Sequence, residues 1–148
     1  MMVVAAAGAA DAADWSRMRR DLWPDGSLEE HAADIAQALK QGSGLNLIAR
    51  SSGGIAIGFA EASLRHDYVN GCTTSPVAFL EGIYVAPDFR RHGVARRLVD
   101  AVEAWAQSQG CTELASDAAL DNSQSRAMHD ALGFAETERV VYFRKFIG

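Results

Sequence analysis

Apolar residues recur at helical spacing in the first part of the chain. A helix is predicted over residues 11–22, and its apolar side carries Trp15, Met18 and Leu22. A second helix is predicted to begin at Ser27, which forms a capping box with Glu30, and to end at Gly42. The residues on its apolar face are Leu28, Ala32, Ile35 and Leu39. The chain therefore begins with two amphipathic helices after a short start.

Two more helices are predicted in the second half. An apolar stripe runs from Gly93 to Gln109, and Gly110 supplies a C-terminal stop. The residues of that stripe are Val94, Leu98, Val102 and Trp105. The segment DNSQSRAMHDALG predicts a further capped helix that ends at Gly133.

Runs rich in β-branched and aromatic residues lie between these helices. VVAAA (3–7) predicts a first strand, and LNLIARS and IAIGFAEASL predict a hairpin joined by SSGG (51–54). VAFLEGIYV (77–85) predicts a long strand ended by Pro87, and TELAS predicts a short one. FAETERVVYFRKFI at the C-terminus predicts one or two closing strands. Alternation along 77–85 places Glu81 on the same face as Phe79, Ile83 and Val85.

Composition limits the class of protein. A chain of 148 residues that is 49% hydrophobic, with three prolines, has the size of one domain spanning 1–148. No apolar run reaches the length of a membrane span and no secretory signal is evident, so we expect a cytoplasmic protein. Two cysteines form no disulfide framework, and no ligand spacing implies a metal. A net charge of -5 argues against non-specific nucleic-acid binding and allows a cationic substrate.

A concentrated basic turn, PDFRRHGVARRL (87–98), contrasts with this acidic balance. It lies between a predicted strand and a predicted helix, where free backbone N–H groups and the helix dipole favour an anion. Gly93 and Ala95 are small enough to let a pyrophosphate approach the backbone, and arginines surround it. Taken alone, such a match is better explained as a turn glycine beside a solvated helix end, and it is the surrounding motifs that favour the anion site.

The motifs around this turn resemble those of a known enzyme family. RRHGVA after LEGIYVAPDF resembles motif A of the GNAT superfamily of N-acetyltransferases, and DNSQSRAMHDALGF resembles the helix that follows in that family. The likeness is closer still to the aminoglycoside 6'-N-acetyltransferases. It is carried by LWPD (22–25), YVNG (68–71), SPVAFLEGIYV (75–85), ASDAALDN (115–122) and AETERVVYF (135–143).

The resemblance implies an α/β (α+β) fold in which helices flank a mixed, mostly antiparallel sheet with two splayed central strands, here 78–85 and 112–116. It implies that acetyl-CoA is the co-substrate, with its pantetheine in the wedge and its pyrophosphate on the basic turn. The implied acetyl-CoA site comprises Ile83, Tyr84, Val85, Arg90, Arg91, His92, Gly93, Val94, Ala95, Arg96 and Asn122.

The resemblance also implies catalytic residues. Asp117 stands where the subfamily places its active-site aspartate, and Glu81 lies on the facing strand. A helix cap is the alternative role for Asp117, although Asp121 is better placed for it. His129 occupies the place of a tyrosine that protonates the leaving thiolate in many family members. A packed, hydrogen-bonded histidine is the alternative there.

The implied substrates are aminoglycosides, which are polycations acetylated on the 6'-amine by direct attack. The residue types needed to hold them are supplied by Trp23, Asp25, Tyr68, Glu81, Asp117 and Glu136. Acetylation of a polyamine or a protein N-terminus, and a non-catalytic acyl-CoA-binding module, remain as alternatives. Family members are commonly dimers, and VVYF and FI near the C-terminus suit either a homodimer interface or a sheet core.

Overall fold

The computed structural model describes residues 2–148 and contains four helices and five strands. The helices are α1 (Ala12–Leu22), α2 (Leu28–Gln41), α3 (Val94–Ser108) and α4 (Ser123–Ala131). The strands are β1 (Val3–Ala6), β2 (Leu45–Arg50), β3 (Ala56–Arg65), β4 (Val77–Val85) and β5 (Leu114–Ser116). The α2 capping box and the end of the helix at Gly42 are both as predicted, and Gly42 adopts the left-handed conformation.

The strands form one sheet in the order β1-β2-β3-β4-β5. The first four strands are antiparallel, and β5 joins β4 in parallel through only three residue pairs, which end at Leu80 and Ser116. Beyond Leu80, β4 continues for five residues to Val85 without β5 beside it. This is the predicted divergence of the two strands.

Helices cover both faces of the sheet. On one face, α1 and α2 pack against Phe59 and Tyr84 through Trp15, Met18 and Ile35, all of them buried. On the other face, α3 contributes Val94, Leu98, Val99 and Val102 to the largest buried cluster. β3 and β4 are therefore packed between two apolar layers. This packing fixes the position of the β4 edge that continues past the end of β5.

A bulge in β4 overturns the predicted alternation. Gly82 pairs with Glu61 but Leu80 pairs with the next residue of β3, Ala62, so Glu81 is an extra residue in its strand. The extra residue reverses the faces that follow. Glu81 stays beside Phe79, through a shared contact with Arg65, whereas Ile83 and Val85 turn into the α3 cluster. The placement of Glu81 with Ile83 and Val85 was therefore wrong.

The predicted closing strands are absent from the described chain. Residues 134–147 form neither helix nor strand, and β5 is consequently an edge strand rather than a central one. We refer to residues 135–148 as the C-terminal arm. Its β-branched and aromatic residues fit a strand, but a strand needs a partner backbone and the arm pairs with none among residues 2–148.

Candidate active site

The candidate site centres on the point where β4 and β5 diverge. The hydroxyl oxygen of Ser116, the last residue of β5, lies 3.3 Å from the backbone carbonyl oxygen of Leu80. From there to Val85 the outer edge of β4 has no neighbouring strand among residues 2–148. A strand edge of this kind offers backbone donors and acceptors to an extended ligand.

The basic turn lies at the end of this edge and has a constrained backbone. Arg91 and Gly93 both have positive φ, 65° and 79°, and α3 begins directly afterwards. Among the described residues no side chain caps α3, and its first backbone bond runs from the N–H of Arg97 to Gly93. The N–H groups of the first turn therefore remain available, next to the positive end of a 15-residue helix.

The arginines of the turn differ in their present contacts. Arg90 donates through Nε to the carbonyl of Val85 at 2.9 Å, and Arg96 donates to the carbonyl of Ala131 at 2.9 Å. Arg91 and His92 are exposed to solvent. Arg90 thus lies across the strand edge, and Arg96 ties α3 to the end of α4.

Tyr84 contributes only its backbone to the edge of β4. Its ring packs between Phe59 and α1, and its hydroxyl donates to Asp21 at 3.1 Å. Burial, together with the neighbouring carboxylate of Asp21, raises the pKa of Tyr84. Ile83 and Val85 are also buried, on the α3 side. The side chains of these three residues are committed to the core.

Glu81 already has a cationic partner. Its carboxylate forms an ion pair with Arg65 at 2.9 Å and accepts from the hydroxyl of Ser63. The guanidinium of Arg65 lies 3.5 Å from the ring centroid of Phe79. The side chain of Glu81 is 34% exposed, so a second cation has access to its carboxylate.

Trp23 follows α1 and packs against β4 at Gly82, the residue next to Glu81. Its six-membered ring covers Gly82 so closely that a methyl group on Gly82 would overlap it. The ring also makes an edge contact with Phe59, with 6.0 Å between centroids. The indole is half-buried and leans against the divergent part of β4.

Asp117 follows Ser116 and is exposed. It lines a groove of about 1190 Å³ together with His129 and Glu136. It does not cap a helix: the cap of α4 is Asn122, whose side-chain oxygen accepts from the N–H of Ser125 at 3.0 Å. The prediction of Asp121 as the cap was therefore wrong by one residue, and Asn122 has a structural contact in addition to its predicted place in the acetyl-CoA site.

His129 is half-buried and held on both ring nitrogens. Nδ1 lies 2.7 Å from the carbonyl of Ser125, so it carries the proton and donates. Nε2 lies 2.8 Å from the hydroxyl of Ser116 and accepts from it when the ring is neutral. The ring also makes an edge contact with Phe134. His129 is thus the packed, hydrogen-bonded residue of the alternative interpretation, yet it is linked to the divergence point through Ser116.

The remaining predicted substrate residues lie on the surface. Tyr68 is 75% exposed in the loop before β4, and Asp25 lines a separate shallow cavity in the turn after α1. Glu136 pairs with Arg139, and the hydrogen bond from Arg139 lowers the pKa of Glu136. The described residues therefore fall into two groups: Trp23 with Glu81 on β4, and Asp117 with His129 and Glu136 around the groove.

Sequence reasoning missed Arg65, Ser116 and Gly82. Arg65 and Ser116 are polar residues at strand ends, where side chains commonly contribute to sites, and that position was the available signal. Gly82 sits inside a strand, which often marks a close approach.

Comparison with known proteins assigns the family. A model of the acetyltransferase (GNAT) family matches residues 12–134, and the chain belongs to this family. It is 60% identical over 136 residues to aminoglycoside N(6')-acetyltransferase type 1 of Acinetobacter genomosp. 13, with 92% of each chain covered. It is 52% identical over 134 residues to the protein of the same name from Serratia marcescens, covering 90% of this chain and 92% of that protein.

Solved structures of related acetyltransferases have the same fold as this chain. The crystal structure of the 6'-N-acetyltransferase AAC(6')-Ih from Acinetobacter baumannii superposes with a TM-score of 0.95 at 51% identity, over 100% of both chains. AAC(6')-Iy in complex with the bisubstrate analogue CoA-S-monomethyl-acetylneamine gives a TM-score of 0.92 at 46% identity, over 99% of both chains.

No helix within residues 2–148 has the length and apolar character that crossing a membrane would require. The same residues contain no group of three or more His, Cys, Asp or Glu side chains arranged to hold a metal ion.

Proposed function

We infer that the protein is an acetyl-CoA-dependent aminoglycoside 6'-N-acetyltransferase, an enzyme of antibiotic resistance. The observation that carries this inference is 50–60% identity, over most of the chain, to several proteins of that name. The AAC(6')-Iy complex, whose ligand joins CoA to an aminoglycoside fragment, has the same fold.

The residues present fit acetyl-CoA. The N-terminus of α3 and the left-handed turn at Arg91 to Gly93 provide backbone donors for a diphosphate, and a Cβ on Gly93 would meet no atom within 4 Å. The open edge of β4 suits the amide groups of pantetheine. When bound, acetyl-CoA supplies an activated acyl group, and the chain supplies orientation and charge. We place the remaining predicted residues, including His92, Val94, Ala95 and Asn122, around the same site.

Asp117 is the residue we propose to receive the proton of the attacking amine. A substrate ammonium has no lone pair and must lose a proton before it attacks. Asp117 is exposed, caps no helix and stands next to the divergence point. Glu81 holds the cationic substrate on the other side, by accepting a second cation beside Arg65.

His129 and Ser116 form a second proton path. Because Nδ1 of His129 is committed to a carbonyl, only Nε2 exchanges a proton, and it faces the hydroxyl of Ser116. A proton taken up at Nε2 can pass through that hydroxyl to the departing thiolate. The role predicted for His129 is thereby retained, with Ser116 as the group that reaches the reacting atoms.

A thiol-release assay with kanamycin, paromomycin and spermidine tests the proposed function. Kanamycin carries a 6'-amine and paromomycin a 6'-hydroxyl, so we expect release of CoA with kanamycin and none above background with paromomycin. Rapid turnover of spermidine without turnover of kanamycin would contradict the assignment. No turnover of any amine would favour a binding module.

We propose in addition that all 148 residues form one domain that works as a homodimer through the C-terminal arm. Five apolar side chains of the arm are 77–92% exposed: Val141, Tyr142, Phe143, Phe146 and Ile147. A soluble protein rarely leaves such a run in water. The outer edge of β5 is unpaired within residues 2–148, so each copy offers both a strand-forming segment and an edge to receive one. Because acetyl-CoA is an intracellular metabolite, we place the enzyme in the cytoplasm.

Light scattering after size-exclusion chromatography tests the dimer. We expect twice the chain mass of 15.9 kDa for the full chain. Removal of residues 140–148, or the change Phe143→Glu, should give a monomer, whereas Lys145→Glu, which changes charge without removing apolar surface, should remain a dimer. A full chain that is monomeric at micromolar concentration would contradict the proposal.

A further inference from the structure

Trp23 is held from four sides. Below it lies Gly82, and Phe59 meets it edge-on. The ring of His31 stacks beside it with centroids 6.4 Å apart and planes 25° apart, and the guanidinium carbon of Arg19 lies 4.8 Å from its centroid. A half-exposed indole without such contacts would change rotamers freely. In this protein the four contacts together hold the indole in one position.

The residues that hold Trp23 belong to a buried polar cluster. The side chains of Arg19 and Glu61 are only 11% and 14% exposed, and they form an ion pair at 2.5 Å. Glu61 also accepts from the indole N–H of Trp15 at 2.9 Å. Arg19 reaches Asp34 at 3.1 Å and donates through Nε to Nδ1 of His31 at 3.2 Å. Every polar atom of the cluster that is buried has a partner among the described residues.

The hydrogen bonds of His31 fix its protonation. Arg19 is always a donor, so Nδ1 of His31 must accept; Nε2 lies 3.0 Å from the carbonyl of Trp23 and must therefore donate. Only the neutral ring with its proton on Nε2 satisfies both. His31 is 4% exposed, and a Cβ added at Gly26 would come within 2.9 Å of Nε2, so the ring also limits the turn that follows Trp23.

We propose that Gly82, His31 and Arg19 are positioning residues that hold Trp23 and the turn 23–26 as a preformed wall of the aminoglycoside site. We call this surface the acceptor wall. It rests on the function proposed above. Gly82 gives the indole room to lie on the strand beside Glu81, His31 anchors the backbone of Trp23, and Arg19 fixes His31. Sugar rings bind by packing on a rigid aromatic face, so displacement of the indole should weaken aminoglycoside binding specifically.

The change Gly82→Ala tests the proposal most sharply. The added methyl group overlaps the indole, so we expect KM for kanamycin to rise about tenfold or more, while Kd for acetyl-CoA from calorimetry stays within twofold. Gly53→Ala is the matched control, because the nearest atom to its Cβ lies 3.9 Å away and its φ is not positive. In a Trp23→Ala background, Gly82→Ala should add little, since both changes remove the same surface.

A second pair of variants isolates His31. His31→Phe keeps an aromatic ring but loses both hydrogen bonds, and His31→Gln retains an amide donor at the position of Nε2. We expect the first to raise KM for kanamycin and the second to recover most of the loss. The ¹⁹F spectrum of protein labelled with 5-fluorotryptophan should show the Trp23 resonance, assigned with Trp23→Phe, shifted in His31→Phe and Gly82→Ala without any substrate.

The outcomes separate the inference from the proposed function. If the wild-type enzyme does not acetylate kanamycin, the proposed function fails, whereas the ¹⁹F shifts still report whether the wall is held as described. If kanamycin is a substrate but Gly82→Ala leaves its KM unchanged, or adds its full effect in the Trp23→Ala background, the acceptor wall is overturned. A fall in melting temperature with unchanged KM would assign the cluster to stability alone.

Discussion

Two regions of this molecule are held in place by different means. In the N-terminal region (residues 12–65) Trp15, Ile35 and Phe59 are at most 1% exposed, and the Arg19–Glu61 pair is enclosed among them. In the C-terminal region (residues 112–148), all of it described, no residue is buried, β5 pairs through three residues and the arm is free of secondary structure.

The difference fits the separate role that we propose for each region. The N-terminal region presents Trp23 on a scaffold completed by its own chain, which suits a surface that selects the acceptor. The C-terminal region carries Asp117 and His129, and its apolar residues Leu114, Met128 and Leu132 are only partly buried against the main cluster. The proposed acceptor wall is therefore supported by buried residues of its own region, whereas Asp117 and His129 lie in a region without a buried residue.

The largest expected effect comes from a change at Asp117, which tests the chemical step apart from the substrate-binding surface. Asp117→Asn removes a proton acceptor, so kcat/KM for kanamycin should fall by roughly 10² to 10⁴. Asp25→Asn, in the exposed turn of the N-terminal region, should change only KM, by a few fold. A wild-type kcat in Asp117→Asn would remove that residue from the proton path.

Ser116→Ala should lower kcat without changing the KM for acetyl-CoA.

Hydrogen exchange compares the two regions directly. Backbone amides of α2 and β3 should be protected at least about a hundredfold more than those of α4, because opening α4 exposes little apolar surface. In a variant lacking residues 140–148 the contrast should widen, since in the proposed dimer α4 and β5 lose the arm of the second copy. Equal protection of α2 and α4 in that variant would contradict the division into two regions.

The basic turn lies between these regions and should respond to changes on its own. Gly93→Val places a branched side chain where φ is 79° and where the diphosphate would lie, so Kd for acetyl-CoA should rise about tenfold or more. Gly93→Asn separates the two causes, because asparagine tolerates positive φ and retains only the steric effect. Unchanged acetyl-CoA affinity in both folded variants would remove the turn from the site.

The smallest expected effect concerns acid stability of the N-terminal region. Arg50 binds Asp11 at 2.7 Å and Asp14 at 3.2 Å. Its hydrogen bond lowers the pKa of Asp11, and hydrogen bonds from Arg17 and then Arg50 lower the pKa of Asp14. A lowered folded-state pKa contributes stability that is fully present above the unfolded value of about 3.9 and is lost as pH falls through the folded value.

Arg50→Met should therefore reduce the free energy of unfolding by at most about 1 kcal/mol near pH 7, because the groups are partly exposed. The difference from wild type should shrink as pH falls below about 4 in urea titrations. A constant difference between pH 7 and pH 3 would show that Arg50 contributes by packing instead.

Local sequence patterns predicted the features that depend on neighbouring residues and missed those that depend on distant ones. The α2 cap, Gly42 and the bounds of β4 depend on neighbouring residues, and the sequence contained them in full. The bulge at Glu81 depends on register with β3, which no single strand encodes. The ion pair of Arg19 and Glu61 joins residues 42 apart, so the charges look solvent-exposed in the sequence although the fold encloses them. The arm has strand composition, but no strand of residues 2–148 pairs with it.

The position of the acetyl group on the product tests the central claim most directly. Kanamycin acetylated by the purified enzyme should gain one acetyl group by mass spectrometry, and NMR should locate it on the 6'-nitrogen. Acetylation on another nitrogen would contradict the 6'-assignment while leaving the family unchanged. No acetylated kanamycin, alongside rapid acetylation of a polyamine or a peptide, would contradict the aminoglycoside function itself.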